Sequence, residues 1–307
     1  MAEMMESPAT HLASKVWKQF LRSARWYPFL LANVVVFAIW NLVPWVSMIE
    51  VSFSKWDMLT PREWVGIDNF AGMAQDGLLR IALCNTFLYA LMYVPTVMLV
   101  SFLVALFVNR PVPGMKAFRA LYFLPNVTSV VVLSIVYWRL LAPRADSPLN
   151  YLLGLVGIAP QRYFLSTSQA LPSVAGVAVW SSFGYLMVLW LAGLQGIPQE
   201  LYDAALVDGA SGLKLHLHVT LPMLRPTAAF ILITSTISAL QIFESIFVLT
   251  GGGPVNATLT VVYHIYRQAF IFGRLGYASA VSILFFAIIL AIALIQGKHL
   301  RFGEGIY

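Results

Sequence analysis

Long stretches of this chain contain no aspartate, glutamate, lysine or arginine, and this fixes the solvent in which it must fold. Such a window runs from Arg25 to Glu50, a second from Arg80 to Arg110, and a third, the tightest, from Arg119 to Arg139. A fourth lies within Arg162 to Glu200. A fifth starts after Arg225 and reaches about Leu249, broken by Glu244, and a sixth separates Arg274 from Lys298. A helix needs about 20 apolar residues to cross a bilayer. Only 10% of the 307 residues are charged and 60% are hydrophobic, far from the roughly 25% charged expected of a soluble domain. The pattern predicts an all-α integral membrane protein of six transmembrane helices, at about 28–51, 82–108, 120–141, 171–195, 226–249 and 276–297. Residues 1–26 form a basic N-terminal flank rather than a cleavable leader, 27–298 the transmembrane domain, and 299–307 a short tail.

An even number of spans puts both ends on one side. Eleven of the 19 lysines and arginines then fall with the N-terminus and eight on the opposite side. The positive-inside bias places both termini in the cytoplasm. The net charge of +6 is spread over this apolar sequence without forming a basic stripe, so nucleic acid is excluded as a partner. The single Cys84 permits no internal disulfide and reads as a small packing residue.

Between spans four and five the composition changes. "ELYDAALVDGASGLKLHLHVTLPMLRP", Glu200 to Pro226, carries acids, histidines and paired alanines. Pro198 suits a first helical turn, and Glu200 and Asp203 lie at its positive end. Gly209 can take the left-handed conformation that closes this helix. Ser211 can cap a second helix, roughly 212–219, that Pro222 ends. The expectation is a cytoplasmic helix–turn–helix over 198–225, and the small Ala204 and Ala205 would let another protein approach closely. From the residues alone it could equally be an amphipathic connector on the membrane surface.

This segment resembles the "EAA" loop of permease subunits in binding-protein-dependent ABC importers. Asp203, Ala204, Ala205, Gly209, Ala210, Val219, Leu221 and Pro222 fall on that pattern, with Asp203 in place of glutamate and Val219 in place of isoleucine. The stretches "VSFSKWD…WVGIDNF", "FRALYFLPNVTSVVVLSIVYWRLL" and "ALQIFESIFVLTGGGPVNATLTVVYHIYRQAF" are similar to the sugar branch, close to the first permease subunit of the maltose and glycerol-3-phosphate types. The resemblance implies a non-catalytic subunit that pairs with a second homologous permease as a heterodimer. It also implies two ATPase subunits that hold ATP and magnesium, and an external solute-binding protein that delivers a sugar. Glu200, Asp203, Ala204, Ala205, Gly209, Leu221 and Pro222 would then couple to the ATPase, and Gly251, Gly252, Gly253 and Pro254 would face the binding protein. The chain has no phosphate-binding loop of its own: its sole Gly-Lys pair, Gly297–Lys298, has Ile292 where the first glycine should stand.

Polar groups inside spans are costly and are candidates for the substrate path. Glu244 is expected to face either a water-filled path or an arginine of a neighbouring span or subunit. Gln241, three residues earlier, is expected on the same helical face. Ser182 and Tyr185 share a face of span four, and Asn126 and Ser129 lie in span three; by resemblance these positions border the sugar. For the serines a hydrogen bond to their own helix backbone is the competing reading. Few cations in the spans favour a neutral or amino sugar over glycerol 3-phosphate or a glycerophosphodiester. An ion-coupled transporter would more often show two related halves, and a membrane enzyme would need convergent acids or histidines. His216 and His218 are two apart, which makes a poor metal pair, and His264 stands alone outside, so no metal site is expected.

Overall fold

The computed structural model describes residues 26–109 and 113–300; the remainder of the basic flank, Arg110 and the tail beyond 300 lie outside the described residues. Helix α1 runs Leu30–Ser52. A short outer helix α2 (Asp68–Met73) precedes α3 (Gly77–Val108), the longest. Then come α4 (Met115–Val127), α5 (Val130–Leu140), α6 (Pro148–Leu155) and α7 (Ala170–Gln195). Helix α8 (Gln199–Val207) and α9 (Leu213–Met223) form the polar segment. Helices α10 (Arg225–Leu240), α11 (Glu244–Leu249), α12 (Val261–Tyr266) and α13 (Leu275–Leu300) complete the order.

Four helices, α1, α3, α7 and α13, are each long and apolar enough to cross a membrane, and six crossings result if each bent pair counts as one. The core is the packing of α3 against α7, with α10 and α4 closing its sides. Val97, Val174, Met187 and Ile231 are fully enclosed there. Trp190 lends its indole N–H to the buried Ser101 hydroxyl at 3.1 Å, as a buried indole requires. Small residues set the closest approaches. A Cβ on Gly184 of α7 would run into the Tyr122 carbonyl of α4, and one on Gly276 of α13 into the Ser54 carbonyl.

Several expectations are corrected here. The third span is not one helix: α4 and α5 meet at a 99° bend, where Thr128 and Ser129 are extended. Pro125 supplies the cause, since it lacks an N–H and weakens the last turn of α4. The fifth span is also interrupted, because Gln241–Phe243 separate α10 from α11. Pro222 does not end the second helix of the polar segment. It sits in a terminal turn, tolerated because a π-type turn at His216–Thr220 rearranges the hydrogen bonds before it, and α9 then bends by 68° into α10. Ser211 is not the cap either: Gly212, at φ +54°, holds that position. Cys84 is exposed rather than packed. Finally, the fold is not purely helical, since Ser54–Lys55 and Glu63–Trp64 pair as a short antiparallel ladder β1–β2 after α1.

Candidate translocation site and coupling segment

The two breaks face one another across the core and open a recess of about 210 Å³. Helix α3 contributes Tyr89 and Tyr93, the α4–α5 break Asn126 and Thr128, α7 Ser181 and Ser182, and the α10–α11 break Ser238 and Ser245. No charged side chain lines it. The tyrosine rings stack at 5.6 Å between centroids. Ser182 Oγ donates to the Ala178 carbonyl at 2.6 Å and lies 2.8 Å from the Tyr93 hydroxyl. A serine has one proton to give, so Tyr93 is the donor in the second bond and keeps its lone pairs for another partner. Thr128 Oγ1 takes up the Leu124 carbonyl at 3.1 Å, one of those freed where α4 ends. Breaks in apolar helices are tolerated where the irregular backbone lines a cavity, and residues of both breaks line this recess.

Of the residues expected on the path, Asn126 and Ser182 line the recess. Ser182 satisfies both readings at once, bonding its own helix and the neighbouring tyrosine. Ser129 is exposed at the start of α5 and Tyr185 is exposed on α7; neither lines it. Gln241 and Glu244 do not share a helical face, because Gln241 ends α10 and Glu244 begins α11. Both are exposed, and no ion pair among the described residues involves Glu244. Their neighbours Ser238 and Ser245 reach the recess instead, since the break turns the helix axis there. Tyr89 and Tyr93 were legible only as ordinary aromatics in a span.

The glycine-rich turn after α11 ends that helix as expected, with Gly251 and Gly252 both at positive φ. It is firmly held. Asn85 of α3 donates to the carbonyls of Asn256 (2.9 Å) and Leu259 (3.1 Å), and Thr86 accepts the Val261 N–H at 3.0 Å. Gly252 is buried against the Tyr263 ring, whereas Gly251 is exposed and Gly253 and Pro254 are half-buried.

His264 is not alone. It is buried, and its Nε2 lies 3.3 Å from Asp76 Oδ2. The Tyr277 hydroxyl of α13 donates to the same oxygen at 2.6 Å. The other carboxylate oxygen accepts the N–H groups of Leu78 and Leu79 and so caps α3. Partial burial pushes the Asp76 carboxyl up, but the Tyr277 hydroxyl, the two amides and His264 outweigh it and hold it below the usual carboxylate range. Burial drives His264 below the usual histidine value; Asp76 opposes this and Arg267 adds to it. No group of three or more His, Cys, Asp or Glu among the described residues could hold a metal.

In the polar segment, Gly209 stands at φ +82° and closes α8, with the Ala210 N–H on the Ala205 carbonyl at 2.9 Å. Glu200 and Asp203 are exposed on the first two turns; Ala204 is exposed and Ala205 half-buried. Thr220, fully buried, ties the two helices by a 3.1 Å bond to Tyr202 and also bonds His216, one turn back on its own helix, at 3.1 Å. Leu206, Val207, Leu213, Leu217 and Leu221 are exposed, an apolar set that reading for charged and small residues overlooked. Pro222 is half-buried behind them.

The family of binding-protein-dependent transport system inner membrane components matches residues 70–301 of this chain. The chain belongs to that family. The arabinooligosaccharides transport system permease protein AraP of Bacillus subtilis (strain 168) is 31% identical over 288 residues, covering 92% of this chain and 91% of AraP. The trehalose/maltose transport system permease protein MalF of Thermococcus litoralis is 31% identical over 278 residues, covering 89% and 91%. A crystal structure of a bacterial ABC transporter involved in the import of alginate superposes with a TM-score of 0.80, covering 95% of this chain and all of that one. At 24% identity, that likeness establishes a shared fold. As an inner membrane component of this family, the chain is a multi-pass translocation subunit of a transport system.

Proposed function

We propose that this permease subunit forms one half of the path by which an ATP-driven importer carries a neutral carbohydrate into the cytoplasm. Relatives whose names specify arabinooligosaccharides, trehalose/maltose and multiple sugars support the substrate class. The observation that carries the reading is the recess between the two broken helices. It offers stacked aromatic rings and several hydroxyls without a charge, the chemistry that receives a sugar's apolar faces and its hydroxyls. Its lack of cations argues against a phosphoester cargo. In this reading Asn126, Ser182, Tyr93 and Ser245 contact the cargo, and Ser129, Tyr185, Gln241 and Glu244 line the approach or the boundary with a second permease subunit.

With six crossings both termini lie on one side together with α8 and α9, and the positive-inside bias supports reading that side as the cytoplasm. The exposed apolar side chains around Ala204, Gly209 and Leu221 then dock in a cleft of an ATPase subunit, two of which hold ATP and magnesium. Closure of those subunits moves α8–α9, and the 68° bend passes the motion directly into α10. Coupling requires contacts that differ between two states, and a short two-helix unit tied at Thr220 can move as one body to supply them. On the opposite face, Gly251–Pro254 and Val255 meet the solute-binding protein. The test is binding-protein-stimulated ATP hydrolysis of the assembled complex with Asn126→Ala and Ser182→Ala. A several-fold rise in the concentration of loaded binding protein needed for half-stimulation supports the site; unchanged curves for both variants remove it.

A further inference from the structure

The loop between α5 and α7 contains a helix with no face suited to water. In α6 the polar Asn150 is only 2% exposed. Its two amide N–H groups are shared among the carbonyls of Ala142, Arg144 and Gln161, each at 3.1 Å, and its oxygen accepts the Gln161 N–H at 2.9 Å. All four bonds stay within the loop, so Asn150 fastens the helix rigidly to the segments before and after it. The opposite arc, at 100° per residue, carries Tyr151, Leu155, Leu152 and Val156. These side chains are exposed by 58% at the least, Leu152, and 72% at the most, Val156. What the loop gives to water lies at its ends: the exposed Arg144–Asp146 ion pair (2.8 Å) before α6, and Arg162, Thr167 and Ser168 after it.

Exposed apolar surface of this kind needs an occupant. Only residues 141–147 separate α6 from the end of α5, whose Val131, Val132, Ile135 and Val136 are likewise exposed. Exposed apolar side chains thus stand on both sides of a short turn, on α5 and on α6, and those of α6 include Tyr151, a residue type that favours the headgroup boundary. We infer that α6 lies in the lipid interface on the side opposite α8–α9, with Tyr151, Leu152, Leu155 and Val156 immersed among the acyl chains and Asn150 locking its rotation. It would hold the outer end of the broken α4–α5 span at fixed depth while the breaks around the recess move.

The experiment uses the full transporter complex in phosphatidylcholine–phosphatidylglycerol nanodiscs, with Cys84→Ser and a nitroxide on a single introduced cysteine at Leu152 or Leu155. Collision rates with oxygen and with a water-soluble nickel chelate are read by electron paramagnetic resonance, with Arg144→Cys as the water-facing control. At both sites oxygen collisions should exceed nickel collisions several-fold, and the order should reverse at Arg144. Nickel preference at Leu152 and Leu155 would overturn the inference in favour of an aqueous face. Loss of access to both quenchers would overturn it in favour of cover by the second permease subunit. Should either cysteine variant fail to assemble, Tyr151→Cys and Val156→Cys report on the same arc.

Discussion

The two ends of this subunit are built on opposite principles. At one end, Asp76, His264, Tyr277, Asn69 and Asn85 join loops and helices that are far apart in sequence. Asn69 alone holds the carbonyls of Ser52 and Ser54, at 2.8 and 3.0 Å. At the other end, α8 and α9 touch mainly each other and turn leucines and a valine outward; Val207 is 89% exposed. A satisfied network of buried polar groups resists rearrangement, whereas an exposed apolar segment tied by one threonine can move as a unit. The difference separates where this protein keeps its shape from where, on the proposed coupling role, it takes instruction. Substitutions at the first end should lower stability and spare coupling, and those at the second should do the reverse.

The largest effect is expected at Gly209. Proline fixes φ near −65°, and the turn requires +82°. Gly209→Pro should reduce uptake to background while the subunit still inserts and its melting temperature in nanodiscs shifts little. The same outcome is expected of Ala205→Asp, and normal uptake in either would break the comparison. Next comes Gly276→Ala, where the added carbon meets the Ser54 backbone. Overpacking of this kind costs about 1–3 kcal/mol, so the melting temperature should fall while each folded complex hydrolyses ATP normally. Asp76→Ala removes a helix cap together with the partners of Tyr277 and His264. A cap alone contributes roughly 1 kcal/mol, and a drop in melting temperature with intact stimulation is again the expected result.

The smallest effect concerns pH. His264 is held below its ordinary value, so the unfolded chain binds the extra proton more readily than the folded one. Its contribution to stability is complete above the unfolded value of about 6.5 and is lost as pH falls below it. Melting at pH 7.5 and 5.5 should show lower stability in acid, and His264→Gln should flatten that difference. An unchanged slope would mean that the outer network does not sense this proton.

How much of this could be read from the sequence depended on the range of the cause. The charge-free windows located the long apolar helices because suitability for lipid is a property of composition. Gly209 and the glycines after α11 were legible because a positive φ leaves few choices of residue. Pro125 was a visible signal for the α4–α5 break, yet the surrounding apolar run read as a continuous helix. The break at Gln241–Phe243 carries no proline or glycine, and its one local sign is Glu244, the acid that interrupts the apolar window directly after it. Asp76 stands 201 positions before Tyr277 and almost as far before His264, and nothing in its vicinity announces either of them. The recess suffered from the same difficulty: Tyr89 and Tyr93 acquire their role only where two breaks meet.

The most direct test of the central claim is ATP hydrolysis by the purified complex in nanodiscs, co-expressed with its genomic neighbours. It is read with and without the solute-binding protein and a panel of sugars, in the native form and with Gly209→Pro. The account predicts stimulation by one sugar-loaded binding protein, abolished by Gly209→Pro in a complex that still assembles. Stimulation that survives the substitution, or an ATPase that never co-purifies with the native chain, would contradict it.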